Sequence, residues 1–420
     1  MPPPLVDDGR PGDDPGPAVP WATDQPALGR LVGDVGSFAE ANWSQEPLLR
    51  ASADPGRFAD LLSAASVDEL LGRRGLRTPF LRVAKDGTTA GNAAFTAPGG
   101  VGAGIGDQVS DDKLAALFAG GSTLVLQALH RTWPPVIDFC QQLATDLGHP
   151  VQANAYVTPP QNQGFEDHYD VHDVFVLQIA GRKKWSIHAP VLPSPLRDQP
   201  WTDRRDAVRL AAEQDAVLDV VLAPGDVLYL PRGYLHSASA LGGVSIHLTL
   251  GVHSWTRYSV AEQLVAMALE ALAHDPEARG SLELGTMLAP EELDAELVTA
   301  KLRDILEALD PAEVADRLRA KRRSAHRAEP LGPLAQHALA TTLTDETTLR
   351  LRHHLDADLD DGTEEAGAGQ RLRTRAGTVL VGEVPDAVLT RLLAGDLLVA
   401  EELGIATARR LIEAGLVVPG

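Results

Sequence analysis

Between Val151 and Val252 the chain is a series of short apolar segments cut by Pro and Gly, and this series limits the possible folds more than any other feature. Val151 to Val157 alternates, with Asn154 and Tyr156 on one face, and is broken at Thr158-Pro159-Pro160. Asp173 to Ala180 is almost continuously apolar and is expected to be a buried strand. Gly181 is expected to turn the chain, so that Lys183 to Ile187 returns as a hairpin partner. Beyond it come Val217 to Leu222, the turn Ala223-Pro224-Gly225-Asp226, Val227 to Leu230, the bend Pro231-Arg232-Gly233 and Gly243 to Val252. Short strands punctuated this regularly predict a double-sheet jelly roll.

Chemistry enters at Gly164-Phe165-Glu166-Asp167-His168-Tyr169-Asp170. In extended backbone, residues two apart leave the same face, so His168 and Asp170 would project side by side. An imidazole and a carboxylate make part of a metal site, and His236, just past the Pro231-Arg232-Gly233 bend, is the candidate third ligand. Two His and one carboxylate suit a ferrous ion and leave coordination positions open. A lone His-x-Asp pair arises readily by chance. Here it is accompanied by a cation-bearing stretch, Arg182-Lys183-Lys184-Trp185, and by the Gly225-Asp226 turn, whose strand ends just before the distal His.

Length and composition bound the rest. At 420 residues the chain exceeds one ordinary domain. Fifty-eight acidic residues against 37 basic ones give a net charge of −21, so direct nucleic-acid binding is not expected and a basic protein or peptide partner is compatible. The single cysteine, Cys140, excludes internal disulfides and Cys-based clusters, and its apolar helical surroundings make it a core thiol. No apolar run is long enough to span a membrane, and the start Met1-Pro2-Pro3-Pro4 is not a secretory signal, so a cytoplasmic location is expected. Residues 1–26, rich in Pro, Gly and Asp, are expected to be a disordered tail. Ser66 and Glu69 suggest the capped start of a helix, and residues 190–215 read as a proline- and charge-rich insertion. The pattern is helical from 256 to 328, and 329–420 reads as a small mixed unit with an acidic loop, Asp356 to Glu365.

Several motifs occur together: Asn154-Ala155-Tyr156-Val157-Thr158-Pro159-Pro160, Gln163-Gly164-Phe165, His168-Tyr169-Asp170, Gly181-Arg182-Lys183-Lys184-Trp185, Gly225-Asp226-Val227-Leu228-Tyr229-Leu230-Pro231-Arg232-Gly233, His236 and His247-Leu248-Thr249-Leu250. In this combination the chain resembles the JmjC-type cupins of the ribosomal oxygenase group. The resemblance implies a mainly β fold with α: a double-stranded β-helix (jelly-roll, cupin, JmjC) domain over 27–255, a dimerisation-like helical segment over 256–328 and a winged-helix-like domain over 329–420. It also implies an Fe(II)- and 2-oxoglutarate-dependent dioxygenase that uses O2 to hydroxylate an Arg or His of a ribosomal protein. His168, Asp170 and His236 would hold the iron. Lys183 would bind the distal carboxylate of 2-oxoglutarate, and Asn154, Tyr156 and Thr249 would hydrogen-bond the co-substrate. His172 and His188 read as structural, and His247 as a packed histidine supporting the site.

The group commonly has a small residue or proline just before the first ligand, where this chain has Glu166-Asp167. Carboxylates at the mouth would favour a cationic target, so Glu166, Asp167 and Arg232 are placed on the substrate side. Competing readings are hydroxylation of a small molecule or a ribosomally made peptide, N-methyl demethylation with formaldehyde release, and a non-catalytic winged-helix regulator. A homodimer is expected by resemblance alone.

Overall fold

The computed structural model describes residues 25–85, 87–160, 166–360, 370–382 and 384–420. Most of the expected tail, the Gln163-Gly164-Phe165 motif and residues 361–365 of the acidic loop lie outside these residues. The chain opens with helices α1 (Pro26–Val32) and α2 (Val35–Ala41), strand β1 (Leu48–Arg50) and helix α3 (Ala64–Arg73). Ser63, not Ser66, caps α3, its Oγ accepting the Ser66 N–H at 3.1 Å, so the helix starts one turn earlier than Ser66 suggested. Next come β2 (Leu81–Lys85), β3 (Thr88–Thr89), the small ribbon of β4 (Thr96–Ala97) and β5 (Gln108–Val109), α4 (Asp111–Ala119) and β6 (Thr123–Leu126). Helices α5 (Leu129–Thr132) and α6 (Pro134–Leu147) lead into β7 (Val151–Thr158). The glycine expected to stop α6 does so, Gly148 adopting φ +69°.

Two long strands, β8 (Asp173–His188) and β11 (Leu235–Val252), dominate the centre of the fold. Between them lie helix α7 (Arg205–Ala212), inside the stretch read as a mere insertion, and strands β9 (Leu218–Leu222) and β10 (Val227–Leu230). Among the described residues the largest sheet is ordered β1-β10-β8-β11-β7-β6-β2-β3, with β9 on the far half of β8, and its named pairings are all antiparallel.

The hairpin expected at Gly181 does not exist. Gly181 sits inside β8 at φ +65°, and both halves of β8 pair with β11: His188 to Arg182 opposite Leu235 to Leu241, then Ala180 to Asp173 opposite Ile246 to Val252. The register slips between these blocks, so the glycine marks a bulge rather than a turn. A Cβ on residue 181 would stand 2.1 Å from the Val244 carbonyl oxygen, which is why the position carries no side chain. The slip changes which side chains face inward. Side chains alternate along a strand, yet even-numbered Val174 and Val176 line the same cavity as odd-numbered Lys183 and Trp185. On β11, His236 and Ala238 share that cavity with His247 and Thr249. Each long strand therefore exchanges its faces once and contributes to both walls of the jelly roll.

The opposite faces form the main core. Phe175, Leu177, Ala155, Leu248, Leu250 and Tyr229 pack with Leu28, Leu31, Phe38, Leu70 and Leu143 of the helices. Phe38, Phe175 and Tyr229 meet with ring centroids 4.9 to 5.9 Å apart. Each such ring contributes about 2 to 3 kcal/mol through burial. Cys140 lies in this core, free and buried, with its thiol pushed far up by burial.

Past β11, helices α8 (Arg257–Leu272), α9 (Ala295–Ala308) and α10 (Pro311–Ala325) form the helical stretch. The terminal unit contains α11 (Pro333–Thr341), β12 (Thr348–Leu351), β13 (Asp358–Asp360), β14 (Gln370–Thr374), β15 (Gly377–Gly382), α12 (Asp386–Leu393), β16 (Leu398–Val399), α13 (Ala400–Leu403), α14 (Ile405–Glu413) and β17 (Val417–Pro419). It has its own core around Leu349, Leu389 and Leu411. No helix among the described residues is long and apolar enough to cross a membrane.

Candidate metal centre

The His-x-Asp stretch is not a regular strand. His168 forms an isolated antiparallel bridge with His236, near the start of β11. The His168 N–H donates to the His236 carbonyl at 3.2 Å, and the His236 N–H donates to the His168 carbonyl at 2.8 Å. Two residues on, the Gly233 N–H donates to the Asp170 carbonyl at 3.0 Å, so 168–170 runs beside 233–236. Residues directly opposed in an antiparallel pair share a face. The two imidazole centroids accordingly lie 4.4 Å apart, and His236 Nε2 is 3.8 Å from Asp170 Oδ2. One ligand atom from each of His168, Asp170 and His236 lies within 4.8 Å of the others. Gly233 makes the approach possible: its φ is +93°, and a Cβ there would stand 2.6 Å from the Leu192 carbonyl oxygen.

The two rings are held in one tautomer. His168 Nδ1 lies 2.7 Å from the Glu166 carbonyl oxygen and His236 Nδ1 lies 3.1 Å from that of Tyr234. A carbonyl only accepts, so each Nδ1 carries the hydrogen and each Nε2 presents a lone pair. Burial, and then the neighbouring His168, lower His236 to about 4, which keeps it neutral. Burial pushes the Asp170 carboxyl up, but His172, His236, His168 and Arg82 outweigh it and hold the group below the usual carboxylate range. Two neutral imidazoles and one anionic carboxylate fit a divalent transition metal such as Fe(II), with room for further ligands.

The cavity beside these ligands is small, about 70 Å³, against about 580 Å³ for a cavity near the C-terminal unit. What distinguishes it is its lining. Lys183 is only 4% exposed and donates from Nζ to Thr158 Oγ1 at 3.3 Å; no carboxylate among the described residues pairs with it. Burial drops its ammonium to about 7. Tyr156 and Thr249 line the same space, and burial, with Asp170 adding to it, pushes the Tyr156 hydroxyl up to about 12, so it stays protonated. His247 stacks on Tyr156 with centroids 4.8 Å apart and meets Trp185 edge-on at 5.4 Å. Burial and then Lys183 hold His247 neutral.

Other expected positions fall elsewhere. Asn154 is not part of the cavity lining; its Oδ1 accepts the Ala128 N–H at 3.0 Å and supports the left-handed turn (φ +56°) that opens α5. Arg232 does not line this cavity either. Its backbone N–H donates to Asp173 Oδ1 at 2.7 Å, and its guanidinium lies 3.7 Å from that oxygen and 3.2 Å from Ser44 Oγ. Asp173 is fully buried and also accepts from Ser254 Oγ at 2.9 Å and Ser44 Oγ at 3.1 Å, so Arg232 belongs to a structural knot. Glu166 is exposed and Asp167 half-buried, and neither lines the cavity. His172 stacks on His253 at 5.2 Å, and His188 is buried 3.5 Å from Ser186 Oγ.

Sequence reasoning missed Thr158, which it read only as a strand break, and Arg82. Arg82 is opposite Val125, and Val125 is opposite Tyr156, so the three form one cross-strand row on the cavity side of the sheet. The alternation Leu81-Arg82-Val83 was the available signal.

Residues 131–260 match a family model described as JmjC domain. Over 252 residues the chain is 32% identical to ribosomal oxygenase 1 of Gallus gallus, covering 59% of this chain and 40% of that protein. Over 258 residues it is 30% identical to the bifunctional lysine-specific demethylase and histidyl-hydroxylase NO66 of Aedes aegypti, covering 60% of this chain and 38% of that one. The match thus spans about two fifths of these relatives' own length. The crystal structure of Escherichia coli ribosomal oxygenase YcfD shares the fold, with a TM-score of 0.53 at 18% identity over 92% of this chain and 98% of that chain.

Proposed function

We propose, from the premise that this chain carries a JmjC domain homologous to the ribosomal oxygenases, that it is an Fe(II)- and 2-oxoglutarate-dependent hydroxylase of a protein side chain. One observation carries the reading: two imidazoles locked with Nε2 outward, beside Asp170, share a cavity with a buried lysine that has no carboxylate partner among the described residues. His168, Asp170 and His236 would hold the iron. When bound, Fe(II) supplies oxygen activation coupled to conversion of 2-oxoglutarate to succinate and CO2. Lys183 provides the cation for the distal carboxylate, and burial from water makes that pairing strong. Tyr156 donates its hydroxyl hydrogen to the co-substrate, and Thr249 adds a second hydroxyl. Val174, Val176 and Trp185 wall the site with apolar surface and exclude water.

The substrate is a cationic or imidazole side chain, Arg or His, of a ribosomal protein. The relatives named ribosomal oxygenase and histidyl-hydroxylase support this, as do exposed Glu166 and neighbouring Asp167 just before the first ligand. Residues 329–420 are read as winged-helix-like. The exposed apolar residues Tyr258, Val265 and Leu269 on α8 are read as a self-association face that makes the chain a homodimer.

The deciding experiment incubates the full chain with Fe(II), 2-oxoglutarate and ribosomal proteins of the source organism, following succinate and searching for peptides that gain one oxygen atom. Succinate release that requires His168 and His236, with an oxidised Arg or His, supports the reading. Oxidation of a small molecule alone, formaldehyde release from a methylated substrate, or no turnover with any of them refutes it.

A further inference from the structure

A second cavity, of about 580 Å³, lies where α5, the end of α10 and the C-terminal unit meet. Five arginines line it, Arg131, Arg323, Arg327, Arg352 and Arg375, with one carboxylate, Asp356. In a chain of net charge −21, such a concentration of guanidinium groups is out of keeping with the rest of the surface.

The ion pairs around it show how much of that charge is left over. Asp356 is taken by Arg322, in a two-point contact at 2.9 and 3.1 Å. Arg323 is taken by Asp358. Arg352 spends its guanidinium on two neutral groups, the carbonyls of Glu329 and Gly415. No carboxylate among the described residues lies within ion-pair distance of Arg131, Arg327 or Arg375, which come from three separate segments. Partial cover by its surroundings, and then the positive charges of Arg327 and Arg375, lower the affinity of the solvent-exposed Arg131 for its proton. Like charges this close are costly unless an anion sits between them. The backbone around Arg327 is fixed by Gln141, whose Nε2 donates to the Arg327 carbonyl at 3.1 Å and the Ala328 carbonyl at 2.6 Å.

We infer that this cavity binds a small anion carrying at least two phosphate or carboxylate groups. The volume falls within the range of small-molecule sites, roughly 300 to 1,000 Å³. Guanidinium groups match phosphate and carboxylate oxygens in two-point fashion. A nucleic acid would need an extended basic stripe. Here the adjoining arginines of α10, Arg319, Arg322 and Arg323, are already neutralised by Asp316, Asp356 and Asp358. The bound anion would join the JmjC domain, the helical stretch and the C-terminal unit at one point.

The probe is tripolyphosphate, titrated calorimetrically into the metal-free full chain at physiological ionic strength. Saturable binding is expected. Each of Arg131→Gln, Arg327→Gln and Arg375→Gln should weaken it about tenfold, and the triple variant should abolish it. Arg303→Gln, an exposed position on α9, should leave it unchanged. All three substituted arginines are exposed, so the variants should fold, and an unchanged melting temperature without tripolyphosphate checks this. Absent or non-saturable binding, full binding by the triple variant, or loss in Lys183→Met but not in the triple variant overturns the inference. Binding of a short single-stranded RNA more tightly than tripolyphosphate, weakened by the same variants, assigns the surface to nucleic acid and also overturns it.

Discussion

Lys183→Met should make the metal-free protein more stable near neutral pH while removing its hold on 2-oxoglutarate. Lys183 is buried, hydrogen-bonded only to Thr158 among the described residues, and lowered by burial from the ordinary 10.5 to about 7. That difference corresponds to a penalty of about 5 kcal/mol on the charged form, and about 4 kcal/mol at pH 7, where half the folded molecules are already neutral. Proton counting gives the sign. Between about pH 7 and 10.5 the unfolded chain holds a proton on this lysine and the folded chain does not, so stability rises with pH across that window. Below about pH 6 the penalty is complete. Methionine has a similar length, no charge, and loses one hydrogen bond worth about 1 kcal/mol, leaving a net gain of about 3 kcal/mol at pH 7. The unfolding midpoint should rise by roughly 3 to 6 °C. Thermal denaturation of both proteins at about pH 6 and about pH 10 is the assay, with 2-oxoglutarate affinity measured alongside. The gain should shrink toward the higher pH. A variant that melts lower than the parent, or one whose gain is the same at both pH values, would refute the picture of a buried cation awaiting a carboxylate.

Gly233→Ala should cost more than about 3 kcal/mol in chemical denaturation and reduce cobalt(II) uptake, because both the positive φ and the Leu192 carbonyl oppose a Cβ there; wild-type uptake would show that the bend does not position His236. Asp173→Ala should cost about 3 to 5 kcal/mol, since it leaves Arg232, Ser44 and Ser254 without their common acceptor. A loss under about 1 kcal/mol would mean that the knot contributes little.

The three positions of the candidate metal centre were legible in the sequence because two of them are local, and the third lies just past a Pro-Gly bend that places it near a strand end. The inward position of Lys183 was also legible, but for an incomplete reason: a turn at Gly181 and a face-exchanging bulge at Gly181 both bring Lys183 and Trp185 to the inside, and only the pairing partner tells them apart. That partner is β11, some 60 residues away, and no local pattern encodes the register. The partner of Arg232 was not legible because proximity to His236 in the chain says nothing about Asp173, the buried carboxylate beside it. Thr158 and Arg82 escaped notice because their roles depend on which distant strands lie alongside them. The arginine cavity was invisible for the same reason, its charges coming from segments that are up to 244 residues apart.

The exchange of faces along the two long strands also limits what insertion or deletion can do. Removing one residue near position 181 would take out the bulge and restore strict alternation with Lys183 still facing the cavity and Lys184 still ion-paired outside with Asp219. A single-codon deletion there would lose the bend and keep the inward lysine, whereas loss of Gly181 together with Arg182 would turn Lys184, a lysine of the wrong position, inward in its place. Away from the bulge, the stretch that carries His236 and the stretch that carries Thr249 can change length only in steps of two if their inward side chains are to stay inward.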